Sequence, residues 1–224
     1  MTAARADVTM MYLLHDAMRR DLDRIQAGLD RLAVHPQEPL RAATGRCWAE
    51  FAVNLHHHHT SEDTRVWPVL RDRFPAAGAL LATMEAEHAA VDPAMKDADA
   101  AVRAATTGNA DQAHTARAAV QRLRHVLLPH LEHEEREALP IIAAHLAGPW
   151  EAFEKRQQRE AGLTGLTRFL PWALDDADPQ RAAWLRARLP APIRFAVMQV
   201  FLPRRRRTLA PLIAVYATRD ATKP

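Results

Sequence analysis

The chain has 224 residues, 48% of them hydrophobic and 25% charged, with a formal net charge of +3. This is the composition of a folded protein with one good core and an appendage, not of a disordered, collagenous or membrane-embedded chain. A single cysteine, Cys47, excludes an internal disulfide and a thiolate cluster, so a metal would need His, Asp or Glu ligands.

A reducing cytoplasm is the expected compartment. The first residues show no basic segment running into an apolar core, and no run of 18 apolar residues occurs, so neither export nor a membrane span is expected. Charge is unevenly divided. Through Pro149 there are 16 basic against 20 acidic residues, and from Trp150 onward 14 against 7. All twelve histidines lie at or before His145, which confines imidazole chemistry to the first part.

Up to about residue 147, apolar residues recur at alternating steps of three and four, with little glycine, and predict four long amphipathic helices. The first, over 8–34, carries Met11, His15, Met18, Leu22, Ile25 and Leu29 on one stripe and breaks at "HPQEP". The second, over 40–73, carries Trp48, Phe51, Leu55, His58 and Glu62, and ends at "FPAAG", where Pro75 disfavours helix in the residue before it. The third, over 76–105, carries Leu81, Met84, His88, Val91 and Met95; "TTGNAD" follows, with Asn109 or Asp111 as the next cap. The fourth, over 110–146, carries Val120, Leu123, Leu127, His130 and Glu134.

This register addresses the run "HHHH" at 56–59. Extending the stripe lands on His58 and Glu62, whereas each neighbour of His58 turns away by about 100°. His56, His57 and His133 are assigned to the surface; His59 with Asp63 is the nearest rival pair, one step off the stripe. His35, His114, His125 and His145 are read as structural, and Met11, Met18, Met84 and Met95 as core filler.

The second and fourth helices repeat a device. "HHTSEDTRVWPVL" from His58 and "HLEHEEREALPII" from His130 share His-xxx-Glu, a second acid directly after, and a proline six residues beyond the Glu. His and Glu four apart lie one above the other on a helix and can meet one centre. Burying one carboxylate unpartnered costs several kcal/mol, so six inward polar groups call for a cation or a dense hydrogen-bond network. Four imidazoles and two carboxylates without sulfur suit iron or manganese, with zinc also open, and two carboxylates between imidazole-rich ends suit a bridged metal pair. A ferritin-like site would use Glu-xx-His on two helices. "EAEH" at 85–88 fits that pattern, but Glu62 and Glu134 do not.

Together with "LLHDAMRRDL" and "MEAEHAAV", these motifs resemble the hemerythrin-like proteins, the HHE cation-binding domains, over residues 8–146, and look closer to the bacterial branch than to the oxygen carriers. The resemblance implies an all-α, up-down four-helix bundle holding a non-haem di-iron centre. By matching position, its metal ligands would be His15, His58, Glu62, His88, His130 and Glu134, with Glu62 and Glu134 as bridges. Where the oxygen carriers have His-xxx-His on the third helix, Asp92 follows His88 here; His59, Glu87 and Asp92 are open as further ligands. The implied function is binding or reaction of oxygen, peroxide or nitric oxide, with an iron- or oxygen-responsive sensor as the alternative.

Residues 1–147 are thus expected to form the bundle and residues 148–224 a basic extension of short helices broken by Pro171, Pro179, Pro190, Pro192, Pro203 and Pro211. Within it, Arg204, Arg205, Arg206 and Arg207 beside "IRFAVMQVFL" are read as a candidate contact for a membrane surface or protein partner, against a solvated basic turn as the plain alternative. No nucleic-acid-reading motif is present, so no specific nucleic acid is expected.

Overall fold

The computed structural model describes residues 5–220; residues 1–4 and 221–224, the outer ends of the two expected segments, lie outside the described residues. Among the described residues there is no strand. Helix α1 (Thr9–Val34) is followed by α2 (Glu38–Ser61), which runs through a π-turn (Glu62–Val66) into α3 (Trp67–Arg73). A 3-10 turn at Pro75–Ala77 leads into α4 (Gly78–Thr107). Helix α5 (Ala110–His133) likewise passes through a π-turn (Glu134–Ala138) into α6 (Leu139–His145). The four long rods pack in a ring, α1 on α2, α2 on α4, α4 on α5 and α5 on α1. This is the expected four-helix bundle.

Local chemistry sets the ends. Phe74, ahead of Pro75, leaves the helical region with ψ 74° and stops α3. Asn109 caps α5 in a reciprocal box with Gln112, satisfying amide donors that the first turn leaves orphaned.

The proline shared by the two motifs has a backbone explanation. Proline lacks an N–H, and in a regular helix its ring collides with the carbonyl four residues earlier. Widening the turn ahead of it relieves that collision, so the Trp67 amide bonds the Glu62 carbonyl and the Leu139 amide bonds the Glu134 carbonyl, five residues back in each case. The extension uses the same solution at Gly165–Phe169 before Pro171 and at Val197–Phe201 before Pro203, where no His or Glu is involved. The proline spacing therefore marks a π-turn rather than a metal motif.

The apolar interior divides in two. One cluster gathers Leu22, Ile25, Phe51, Leu123 and Leu127; the other gathers Trp67, Leu70, Leu81, Met84, Leu139 and Ile142. Between them lies a layer of buried His and Glu. Burial of the apolar stripes stabilises the bundle at roughly 1.5–3 kcal/mol per large side chain.

Beyond the bundle come α7 (Ala147–Thr164), α8 (Leu170–Leu174), α9 (Pro179–Arg188), α10 (Ala191–Ala196) and α11 (Leu202–Asp220). Helix α11 lies against α1 and α2. Trp172, Leu174, Val197, Leu209 and Leu212 join the first apolar cluster, so the extension shares a core with the bundle. At Gly28 a Cβ atom would stand 2.6 Å from Leu212 and 2.6 Å from Thr44, which is why the residue facing both helices has no side chain.

A buried ionic knot fastens this contact. Asp175 accepts from Arg24 at 2.7 Å, from Arg206 at 2.7 Å and from Arg205. Arg205 also reaches Glu50 at 2.9 Å, Arg20 donates to the backbone carbonyls of Trp172 and Asp175, and Trp172 Nε1 donates to Asp21 at 2.7 Å. Burial pushes the Asp175 carboxyl up, but Arg205 and Arg24 outweigh it and bring its pKa down to about 2. Of the four consecutive arginines expected to face a partner, Arg205 is buried in this knot and Arg206 is paired to it. Arg204 and Arg207 remain exposed, as do Phe195 and Val200. Among the described residues, no helix is long and apolar enough to cross a membrane.

Candidate metal centre

The polar layer collects all six residues expected as ligands. His15 comes from the start of α1, His58 from the end of α2, His88 from α4 and His130 from the end of α5. Glu62 and Glu134 are the first residues of the two π-turns. All six are buried, the most exposed being His58 at 6%.

The imidazoles face each other in pairs. His15 Nε2 stands 3.1 Å from His58 Nε2, and His88 Nε2 stands 3.1 Å from His130 Nε2. Glu134 Oε2 lies 3.1 Å from His15 Nε2 and 3.8 Å from His58 Nε2. Glu62 lies 3.2 Å from His58 Nδ1 and 3.5 Å from His88 Nε2. Despite this proximity, none of the four carboxylate oxygens of Glu62 and Glu134 is in hydrogen-bonding alignment with any group. Two buried carboxylates without hydrogen bonds, set between inward-pointing imidazole nitrogens, would cost several kcal/mol without a cation.

Outside this layer a ring of carboxylates fixes the imidazoles. His15 Nδ1 donates to Glu135 at 2.8 Å, His88 Nδ1 to Asp63 at 2.7 Å and His130 Nδ1 to Glu87 at 2.9 Å. A proton committed to Nδ1 leaves the Nε2 lone pair directed inward, the arrangement that carboxylates give to metal-binding imidazoles. Asp63 and Glu135 are the "second acids" of the repeated motif, and each holds the histidine of another helix. The sequence showed their spacing but not their target. Glu87, open as a further ligand, instead bonds both His130 and His133, so His133 is partnered rather than a free surface residue. Asp92 is exposed on the rim of a pocket.

His59 departs from the register argument. It is 8% exposed, stacks on the His88 ring with centroids 4.0 Å apart, and meets the His130 ring edge-on at 5.2 Å. The candidate ligand atoms fall into two groups, each within 4.8 Å: His15, His58 and Glu134, and His59, His88 and His130. A pocket of about 250 Å³ between α2 and α4, lined by His56, His59, Thr60, Asp63, His88 and Asp92 among others, opens beside the second group.

The charge states are divided within the layer. Burial, with Glu134 nearby, pushes the Glu62 carboxyl well above the usual range. Burial acts the same way on Glu134, but His15 outweighs it and holds that carboxyl low. Burial would also depress His15, yet Glu134 and Glu135 prevail and raise it to about 9. Burial and neighbouring imidazoles hold His58, His59 and His130 below the ordinary histidine value, neutral and able to ligate. A cation entering the layer would displace the protons of Glu62 and His15. The imidazole and carboxylate donors, without sulfur, fit iron, manganese or zinc.

No curated protein and no solved structure matches the chain. The family model of the hemerythrin HHE cation binding domain matches residues 6–142, more than half of the chain. That span contains every residue of the polar layer, and the chain belongs to this family of cation-binding domains.

Proposed function

We propose that the polar layer holds two non-haem iron ions. His15 and His58 would serve one and His88 and His130 the other, with Glu62 and Glu134 between them, and the centre would bind or react with oxygen, peroxide or nitric oxide. The observation that carries this reading is the set of four unbonded carboxylate oxygens between two facing imidazole pairs. Iron held there supplies a redox-active pair that a small molecule can bind. The chain's own residues do the rest. Asp63, Glu87 and Glu135 hold the imidazole tautomers, the two apolar clusters keep bulk water from both sides, and the pocket beside His88 admits a small ligand.

A second reading, a metal-responsive sensor, rests on one linkage. Glu135, which holds His15, is also bonded by Arg19 at 2.7 Å, and Asp16, next to His15, pairs with Arg181 of α9. The extension is therefore tied to the helix that carries His15.

Elemental analysis of the protein from iron-replete cells, beside a His58→Ala/His130→Ala variant, tests both readings. Two irons per chain in the parent and few in the variant are expected, followed by peroxide consumption or a ligand-dependent spectrum. No iron after anaerobic ferrous reconstitution would defeat the di-iron reading. Negligible turnover with metal-dependent protease protection of residues 150–224 would favour the sensor.

A further inference from the structure

Residues 191–220 form one continuous helical rod, in which α10 runs through the π-turn at Val197–Phe201 into α11. The inner side of the rod is buried through Val197, Leu202, Arg205, Leu209 and Leu212. Its outer side carries Phe195 and Val200, 66% and 51% exposed, and beyond them the exposed Arg204 and Arg207. Val200, Arg204 and Arg207 follow one another at steps of four and three, which places them on one helix face. Five residues apart, Phe195 and Val200 would point about 140° away from each other on a regular helix. The wide turn that accommodates Pro203 narrows this angle, so Phe195 joins the same outer face.

Two exposed apolar side chains alone mean little, but the charge around them selects a partner. Between Asp178 and Asp220 the chain has nine arginines and no Asp or Glu. Arg205 and Arg206 are taken up by Asp175, whereas the exposed side chains of Arg194, Arg204 and Arg207 form no ion pair among the described residues. The π-turn Gly165–Phe169 lies against the one at Val197–Phe201 and adds the exposed Arg168. We infer that this outer face docks on the surface of an anionic lipid bilayer. Phe195 and Val200 enter the boundary between headgroups and acyl chains, and Arg194, Arg204 and Arg207 meet lipid phosphates, as in a basic amphipathic helix lying in an interface. A nucleic acid or a purely acidic peptide would satisfy the guanidiniums and leave Phe195 and Val200 in water; a bilayer takes both. The knot around Asp175 already holds the rod, so docking does not have to order it.

The test is co-sedimentation of the full-length protein with vesicles of phosphatidylcholine alone and of phosphatidylcholine with an equal part of phosphatidylglycerol. Affinity for the mixed vesicles should exceed that for the neutral ones about tenfold or more, and should fall with added salt. Phe195→Ser/Val200→Ser and Arg204→Gln/Arg207→Gln should each weaken binding to mixed vesicles about tenfold. Val34→Ser, which removes an exposed valine from the end of α1, should leave it unchanged. Equal binding to both vesicles, or binding to neither, would overturn the inference. Parental binding by Phe195→Ser/Val200→Ser would overturn it too, by reducing the contact to attraction between opposite charges. Retention on immobilised polyglutamate without vesicle binding would instead assign the arginines to an acidic protein partner. Should a variant lose its helical circular dichroism, a nitroxide on Gln199→Cys decides in its place, since Cys47 is buried. On mixed vesicles the label should become accessible to dissolved oxygen and shielded from a water-soluble nickel chelate; a label that stays in water overturns the assignment.

Discussion

The protein buries ionisable groups in two places and treats them in opposite ways. In the knot that fastens the extension, Asp175 is surrounded by Arg24, Arg205 and Arg206, and its carboxylate is fully used by the chain. In the bundle, Glu62 and Glu134 are at least as deeply buried, and their oxygens receive no hydrogen bond. A buried carboxylate provided with arginines is a fastening. One set among imidazoles whose protons a metal can displace, with no guanidinium in reach, is a receptor for a cation. The contrast rests on the neighbours and not on burial, which is nearly the same in both.

The comparison is broken most severely at Asp175. Asp175→Ala would leave the buried guanidiniums without their shared acceptor and should cost about 3–5 kcal/mol, read as a fall in the denaturation midpoint with the slope unchanged. A loss below about 1 kcal/mol would show that the knot does not hold the extension. Acid should act on the same group more gently. Its carboxyl is depressed to about 2 in the folded chain, so the associated stability is complete above the unfolded value near pH 4 and is lost as pH falls through about 2. That limb amounts to roughly 2 kcal/mol and should be absent in Asp175→Asn, measured by urea unfolding across the acid range. The smallest effect on stability is expected where the burial is deepest. Glu62→Gln/Glu134→Gln should leave the chelator-treated protein as stable as the parent, or about 1 kcal/mol more so, while abolishing stabilisation by added metal. A metal-free variant several kcal/mol weaker than its parent would mean that the two carboxylates are structural.

The bundle was legible in the sequence because its stripes are regular. The reading of 8–34 became Thr9–Val34, and the break at Phe74 and the cap at Asn109 fell where proline and asparagine chemistry puts them. The six inward polar residues were legible for the same reason, since His15, His58, His88 and His130 simply continue apolar stripes. His59 was legible only as a rival one step off the stripe and an open further ligand, because a stripe argument admits one residue per turn. The layer around the histidines is wide enough to bury two consecutive side chains of α2, His58 and His59, facing different helices. The carboxylates that hold the imidazoles were visible as an echo but not as partners, because Glu135 and Asp63 act on helices far away in sequence. The extension was least legible. Its arginines read as a surface run, and only the fold reveals that Arg205 points inward.

The crossing of these bonds between helices also orders events during synthesis. The hairpin of α1 and α2 carries His15, His58 and Glu62, but the carboxylate that holds His15 and the one that stands against it, Glu135 and Glu134, belong to the end of the fourth rod. A nascent chain halted before residue 134 would therefore own five of the six residues expected as ligands, yet lack both Glu134 and the carboxylate that holds His15. Uptake of a cation would have to wait until nearly the whole bundle had left the ribosome, and capture of the ion would report that the second hairpin had closed on the first.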